Sequence, residues 1–395
     1  MSVIAGMVVL LLSCIGNAEL WVILMNRRHS LRYRHQVLRR VRHLHDAGLS
    51  LFPLFLFAYA GFADNGLLRG GTFSEQPPLL KIIIFITCCG LVPFFGSVIR
   101  WQLARQPKRL MQTTAEVFDV LALQDSSEAR QRVLGDTQGL LWRLPGNQIF
   151  QLETNCKRLS IFDHEESDSR TKTTLKVAHF SDMHLIGCPG EGFHKFIADQ
   201  LCAMQPDVFV FTGDLIDRQE LLPWAVESFR RMAEVAPAYF VLGNHDWHHD
   251  VAAIRCALVS AGWNDIAGLS TLAVLKEVDV MFAGTEAPWM GENPDVPERT
   301  ENTLRILLSH SPDQRDFAAQ SDVDLMLCGH NHGGQVRLPV IGPVYSPSKF
   351  GVRYSGGVYE FQNVLMHVSR GTGGMDRFRW NCRPEITLLE LDVWQ

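Results

Sequence analysis

The sequence has no C-x-x-C pair, no surplus of basic charge and no internal repeat. Its nine cysteines stand singly or as the adjacent pair Cys88-Cys89. That spacing excludes a zinc ribbon or a disulfide scaffold and reads as reduced, mostly buried thiols, hence a reducing compartment for the soluble part. Cys328, although it precedes Gly329-His330, is taken as strand core. A formal net charge of −5, from 37 Lys and Arg against 42 Asp and Glu, supplies no basic face for a wide phosphate footprint, so no nucleic-acid partner is expected. Beyond residue 102 long apolar runs are missing too. Before it there are three, at 3–25, 47–63 and 82–99.

A spanning helix needs about 17–25 apolar residues, so these runs are expected as three transmembrane helices of a membrane region over 1–109. Pro53 and Pro93 inside the shorter runs are tolerable in lipid when neighbouring helices repair the lost hydrogen bonds; a hairpin dipping into one leaflet is the alternative. The first run has no basic residue ahead of it and no small-x-small cleavage pattern, and so reads as a permanent helix rather than a secretion signal. Arg27, Arg28, Arg32, Arg34, Arg39, Arg40 and Arg42 separate runs one and two, Arg69 alone carries basic charge between two and three, and Arg100, Arg105, Lys108 and Arg109 follow. The positive-inside rule then puts the N-terminus outside and everything after Trp101 on the cytoplasmic side of an inner membrane. The Arg-rich loop suits anionic membrane lipids.

Residues 110–173 read as a connection: a helix within Thr113–Leu134, a small β element within Leu140–Phe162, and an exposed linker over Asp163–Lys172. Chemistry begins at 174–395, where apolar strands alternate with helical stretches and each strand ends in metal-type donors. Leu175–Phe180 runs into Asp182 and His184; Asp207–Thr212 into Asp214, Asp217 and Arg218; Tyr239–Leu242 into Asn244, His245 and Asp246; Leu304–Ser309 into His310; Val323–Cys328 into His330 and His332. Asn and Asp after a strand are ordinary turn residues, and a lone strand-end His is more often structural than a ligand. Five such endings in one chain reverse that balance, because imidazole, carboxylate and amide donors are what Mn, Fe and Zn take, and open α/β sheets carry their sites at the carboxyl ends of strands.

Asp182-x-His184, Gly213-Asp214-x-x-Asp217-Arg218, Gly243-Asn244-His245-Asp246, Ser309-His310 and Gly329-His330-x-His332 together resemble the ordered motif set of the calcineurin-like metallophosphoesterases. The resemblance covers Leu175 to the C-terminus. It implies an α/β fold, a four-layer αββα sandwich, here preceded by the helical membrane region. It also implies two divalent metal ions, Mn²⁺ first with Fe or Zn as alternatives: one held by Asp182, His184 and His332, the other by Asn244, His310 and His330, with Asp214 bridging. Two such ions clamp a phosphate and acidify the water that attacks phosphorus in line. His245 is left as the catalytic donor to the phosphoryl or leaving oxygen, with Asp246 setting its tautomer. Asp217 and Arg218 suit an outer role or contact with the substrate phosphate, or else a surface ion pair.

Gln219, Leu242 and Asp246 stand where the protein Ser/Thr phosphatases have Gly, Arg and Glu, which argues against that branch. Gly329–Pro339, Ser369–Gly374 and Pro384–Leu391 instead resemble a bacterial membrane-associated branch. Its members include hydrolases of the UDP-2,3-diacylglucosamine pyrophosphate bond in lipid A synthesis and general phosphodiesterases. The expected activity is hydrolysis of a phosphodiester or pyrophosphate bond in a phosphorylated small molecule or a lipid-linked substrate. The alternatives are a phosphodiesterase or phosphomonoesterase on soluble nucleotides, a metal- or nucleotide-binding sensor without turnover, and a transporter regulated by hydrolysis. Within the lipid reading, the loop Ile186–Phe193 is expected to guide acyl chains through Phe193.

Overall fold

A computed structural model describes residues 1–33, 35–137, 139–161, 172–300, 303–374 and 376–394. Most of the expected linker Asp163–Lys172 and Arg34 of the Arg-rich loop lie outside these residues. The chain divides into two compact units, one of residues 1–104 with 340–353, the other of 105–339 with 354–395.

The first unit contains α1 (Val3–His29), α2 (His35–Leu56), α3 (Pro78–Cys89) and α4 (Leu91–Gln102). Three stretches, Val3–Arg28, Arg40–Phe62 and Pro78–Gln102, are long and apolar enough to cross a membrane. Pro53 lies inside α2, and the chain continues from α2 into a π turn at Phe57–Phe62. The third stretch is two helices meeting at Gly90. A Cβ on Gly90 would stand 2.1 Å from the Gly16 carbonyl, so only glycine permits this approach of α1. Ser13 and Thr87 share a hydroxyl contact of 2.5 Å in the same seam. The segment 340–353 belongs to this unit: Gln102 donates to the Val340 carbonyl, and Gly342 packs against Trp101.

The second unit is built on two sheets. Its strands are β1 (Leu110–Asp119), β2 (Gln151–Ser160), β3 (Lys172–Phe180), β4 (Val208–Thr212), β5 (Ala238–Val241), β6 (Asn264–Asp265), β7 (Ser270–Leu275), β8 (Val278–Thr285), β9 (Leu304–Ser309), β10 (Leu325–Cys328), β11 (Gly357–Phe361), β12 (Val364–Val368) and β13 (Glu385–Trp394). One sheet has the order β1-β2-β13-β3-β4-β5-β6, the other β11-β12-β10-β9-β8-β7. β3, β4 and β5 are parallel neighbours, as are β8, β9 and β10. Their continuous apolar sequences, such as Val208-Phe-Val-Phe-Thr212, are what strands covered on both faces require.

Val177, Val210, Val241, Val280, Phe282, Ile306 and Leu308 fill the space between the sheets, where Tyr239 stacks on Phe282 with ring centroids 4.4 Å apart. The outer face of the seven-stranded sheet is covered by α6 (Glu191–Ala203), α7 (Leu222–Ala233) and α8 (Val251–Ser260), while α9 (Arg315–Gln320) packs against β12. These are the four layers of an αββα sandwich. Phe180, Phe209, Phe211, Phe229 and Trp263 form the aromatic heart beneath the helices, and truncating Phe229 to alanine is expected to cost about 3–5 kcal/mol.

The connecting stretch corrects the sequence reading. Thr113–Leu134 does not form one helix: residues to Asp119 are strand β1, and only Ser127–Leu134 is helical, here α5. The β-branched and aromatic residues of Thr113-Thr-Ala-Glu-Val-Phe118 pair antiparallel with β2, and that pairing outweighs weak helix propensity. β2 in turn lies parallel to β13, and its Leu159 belongs to the core between the sheets.

Candidate functional site

The carboxyl ends of β3, β4, β5, β9 and β10 converge, and the structure brings together the side chains the sequence singled out. Asp182, His184 and His332 present one ligand atom each within 4.8 Å of one another, and so do Asp214, His310 and His330. Between the groups, Asp214 Oδ2 lies 3.1 Å from His310 Nε2 and 3.5 Å from His184 Nε2. Asn244 Oδ1 lies 3.1 Å from the same His310 nitrogen. His184, Asp214 and His245 form a third such group.

The backbone is bent to make this convergence. Asp182, His184, Asp214, His330 and His332 all take positive φ, from 44° to 69°, a region that costs an L-residue about 1 kcal/mol or more and persists only where surroundings enforce it. The loops are tied by hydrogen bonds from Asp182 N to Gly213 O (2.8 Å), from His184 N to Asp214 O (3.1 Å) and from Gly329 N to His310 O (2.9 Å). The motif glycines have a direct reason. A Cβ on Gly243 would stand 2.1 Å from Asp214 Oδ1, and one on Gly329 2.2 Å from Asp182 Oδ2.

Donor chemistry fits divalent metal ions. His310 Nδ1 donates to the Thr212 carbonyl at 2.7 Å, which turns the lone pair of Nε2 toward the Asn244 and Asp214 oxygens. Acceptors gathered this closely need a shared cation or proton. Burial would lower the His310 pKa, but the Asp214 carboxylate outweighs it and raises it to about 9. For the coupled carboxylates, burial tends to raise both; it prevails at Asp182, whereas the surrounding imidazoles hold Asp214 well below the ordinary range.

Asp217 takes the outer, orienting position expected of it, whereas Asp246 does not take the one expected of it. Asp246 does not hold His245. Its carboxylate accepts the backbone N–H groups of Asp214, Leu215, Ile216 and Gly243, tying the β4 loop to the β5 loop, and burial pushes its pKa up to about 6. The residue on His245 is Asp217, whose Oδ1 lies 2.6 Å from His245 Nδ1 while Oδ2 lies 2.7 Å from His184 Nδ1. Burial would lower the His245 pKa; the Asp214 and Asp217 carboxylates reverse that and raise it to about 10. Arg218 turns away to Glu220 (2.9 Å) and Asp136 (3.3 Å), the surface ion-pair alternative. Phe193 is fully buried against Phe150 and His194, so it guides no acyl chain.

Two neighbours were not foreseen. Trp289 lays its ring against His310 and His330, with centroids 5.6 and 4.9 Å away. It lies in an irregular stretch after β8 that offers no periodic signal. Arg379, fully buried, donates to the carbonyls of Gly373 and Arg370, and this holds the loop whose Gly373 N donates to Asp182 O at 2.7 Å. Only its distance in sequence concealed it.

A two-sheet sandwich carrying imidazole, carboxylate and amide donors at its strand ends is the build of a metal-dependent phosphoesterase. The chain belongs to the calcineurin-like phosphoesterase family, whose pattern matches residues 175–334. It is similar to "Phosphodiesterase YaeI" of Escherichia coli, 32% identical over 47% of this chain and 71% of the relative. It also resembles "Transmembrane protein with metallophosphoesterase domain" of Bos taurus, 29% identical over 88% of this chain and 82% of the relative. A third relative is "UDP-2,3-diacylglucosamine pyrophosphatase LpxG" of Chlamydia muridarum, 23% identical over 54% of this chain and 83% of the relative.

Proposed function

We propose that the protein hydrolyses a phosphodiester or pyrophosphate bond of a lipid-linked substrate at the cytoplasmic membrane face, using two divalent ions. The observation that carries the reading is the pair of donor groups meeting at Asp214: Asp182, His184 and His332 on one side, His310, His330 and Asn244 on the other. Bound ions would supply positive charge to the phosphoryl oxygens and acidify water.

The chain supplies the rest. Asp217 accepts from Nδ1 of both His184 and His245, which turns Nε2 of His184 toward Asp214 and Nε2 of His245 away from the carboxylate. The side chain of His245 retains 24% exposure, enough to reach a substrate oxygen, while the Asp217 carboxylate on Nδ1 fixes its ring. Its role is then to donate to the phosphoryl or leaving oxygen. Asp246 fixes the distance between the β4 and β5 loops rather than any imidazole.

The lipid-linked substrate is favoured by three membrane-length helices, by the arginines between the first two, and by the pyrophosphatase relative. The arginine distribution also supports the cytoplasmic orientation. The phosphodiesterase relative favours soluble diesters as the second reading. Detergent-purified protein with Mn²⁺, given UDP-2,3-diacylglucosamine and bis(p-nitrophenyl) phosphate, separates them: release of UMP supports the first, and turnover of the soluble diester alone supports the second.

A further inference from the structure

In the second unit the segment Gly139-Leu-Leu-Trp-Arg-Leu-Pro-Gly146 holds large apolar side chains in the open. Leu140, Leu141 and Leu144 leave 75, 49 and 43% of their surface exposed. Apolar residues scattered singly over a surface need no explanation; three within five positions do. Trp142 is half-buried, its indole N–H already donating to the Thr137 carbonyl at 3.0 Å, and the Arg143 guanidinium stands 4.9 Å from its ring centre. There is no acidic residue from 139 to 147.

The loop is fastened at both ends to the metal-site loops. On one side Asp136 N donates to Gly187 O at 2.7 Å, three residues after His184. On the other, Asn147 donates to the Arg377 carbonyl at 2.8 Å and accepts from Arg379 N at 2.9 Å. That 376–379 stretch is in turn bound by Gln335, which lies three residues after His332 and donates to the Asp376 and Phe378 carbonyls at 2.6 and 3.0 Å. The exposed leucines are thus held at the rim of the site.

We propose that this rim loop docks on the surface of a lipid bilayer, holding the rim of the metal site against the membrane. Leucines that enter the acyl boundary and an arginine toward anionic headgroups are the composition of an interfacial segment, and Trp142, packed on the core beneath them, holds the loop in place. The same chain carries three stretches long and apolar enough to cross a membrane, and this is why a lipid surface is the occupant proposed. The docking stands by itself; its effect on turnover rests on the lipid-linked substrate proposed above.

The test places benzoylphenylalanine at Leu140, or at Leu272 on β7 as an equally exposed control (72%), in full-length protein reconstituted in phosphatidylethanolamine and phosphatidylglycerol vesicles. Irradiation is expected to give a lipid adduct at 140 at least five times more often than at 272. Equal yields, no adduct at 140, or an adduct to a second copy of the chain overturns the proposal. Leu140→Ser with Leu141→Ser is then expected to lower turnover of vesicle-borne UDP-2,3-diacylglucosamine at least tenfold and to leave bis(p-nitrophenyl) phosphate turnover within twofold. Equal loss on both substrates, or no loss on the lipid where the wild type turns it over, counts against docking. A lipid adduct at 140 in a protein that hydrolyses no lipid substrate keeps the docking and removes the lipid-linked substrate.

Discussion

At the scale of single residues, Asn244, His245 and Asp217 separate binding from turnover. Asn244→Ala removes a neutral donor 3.1 Å from His310 Nε2 and is expected to lower metal content, whereas His245→Ala should keep both metals and lose about 10²–10⁴-fold in kcat. Metal analysis beside kinetics checks both, and an empty site in His245→Ala refutes the division. Asp217→Asn touches both histidines at once, so it should weaken metal affinity about 10–100-fold and also lower kcat at saturating metal. A kcat fully restored by excess metal would confine Asp217 to His184. Gly243→Ala would drive a methyl into the carboxylate and the backbone nitrogen of Asp214, and loss of metal together with a lowered Tm is expected.

Among elements, α6 carries a pH dependence that has nothing to do with catalysis. His194 is buried on it, and burial lowers its pKa to about 4 from 6.5. Since the folded state binds this proton less readily than the unfolded one, the stability it allows is whole above pH 6.5 and lost as pH falls toward 4, by about 3 kcal/mol. His179, buried on β3 and lowered to about 3, acts in the same direction. His194→Leu is therefore expected to flatten the fall of Tm between pH 6.5 and 4.5; an unchanged slope would show that His194 is not charged on unfolding. β2 is an element of another kind. It brings Lys157 into the sandwich, where Nζ lies 2.9 Å from His367 Nε2 and 3.9 Å from Glu385 on β13. No pattern in the sequence announces a lysine there.

For the whole molecule, the pairing of β1 and β2 into the seven-stranded sheet means that the family motifs do not delimit the folding unit. A chain beginning at Thr174 lacks both strands and leaves the β2 edge of β13 bare, so it is expected to be insoluble, whereas one beginning at Arg105 should melt cooperatively. Equal solubility of the two would make β1 and β2 dispensable.

What the sequence determined by itself was local or strictly ordered. Apolar runs at 3–25, 47–63 and 82–99 coincide with the helices of membrane length, because hydrophobic length needs no tertiary context. The strand-end donors were legible because each follows its strand directly, as at Phe180–Asp182 and Leu242–Asn244. Tertiary structure decided the rest. Asp217 holds His245, and Asp246 does not, because chain neighbours at a strand end point to different sides while residues 28 apart meet across two parallel strands. Thr113–Phe118 became a strand because β2 offered a partner, and Phe193 was taken inward because α6 packs its face on the aromatic core. Spacing along the chain carries ligand type and order; only packing assigns each side chain its partner, since those contacts join residues that no local pattern links.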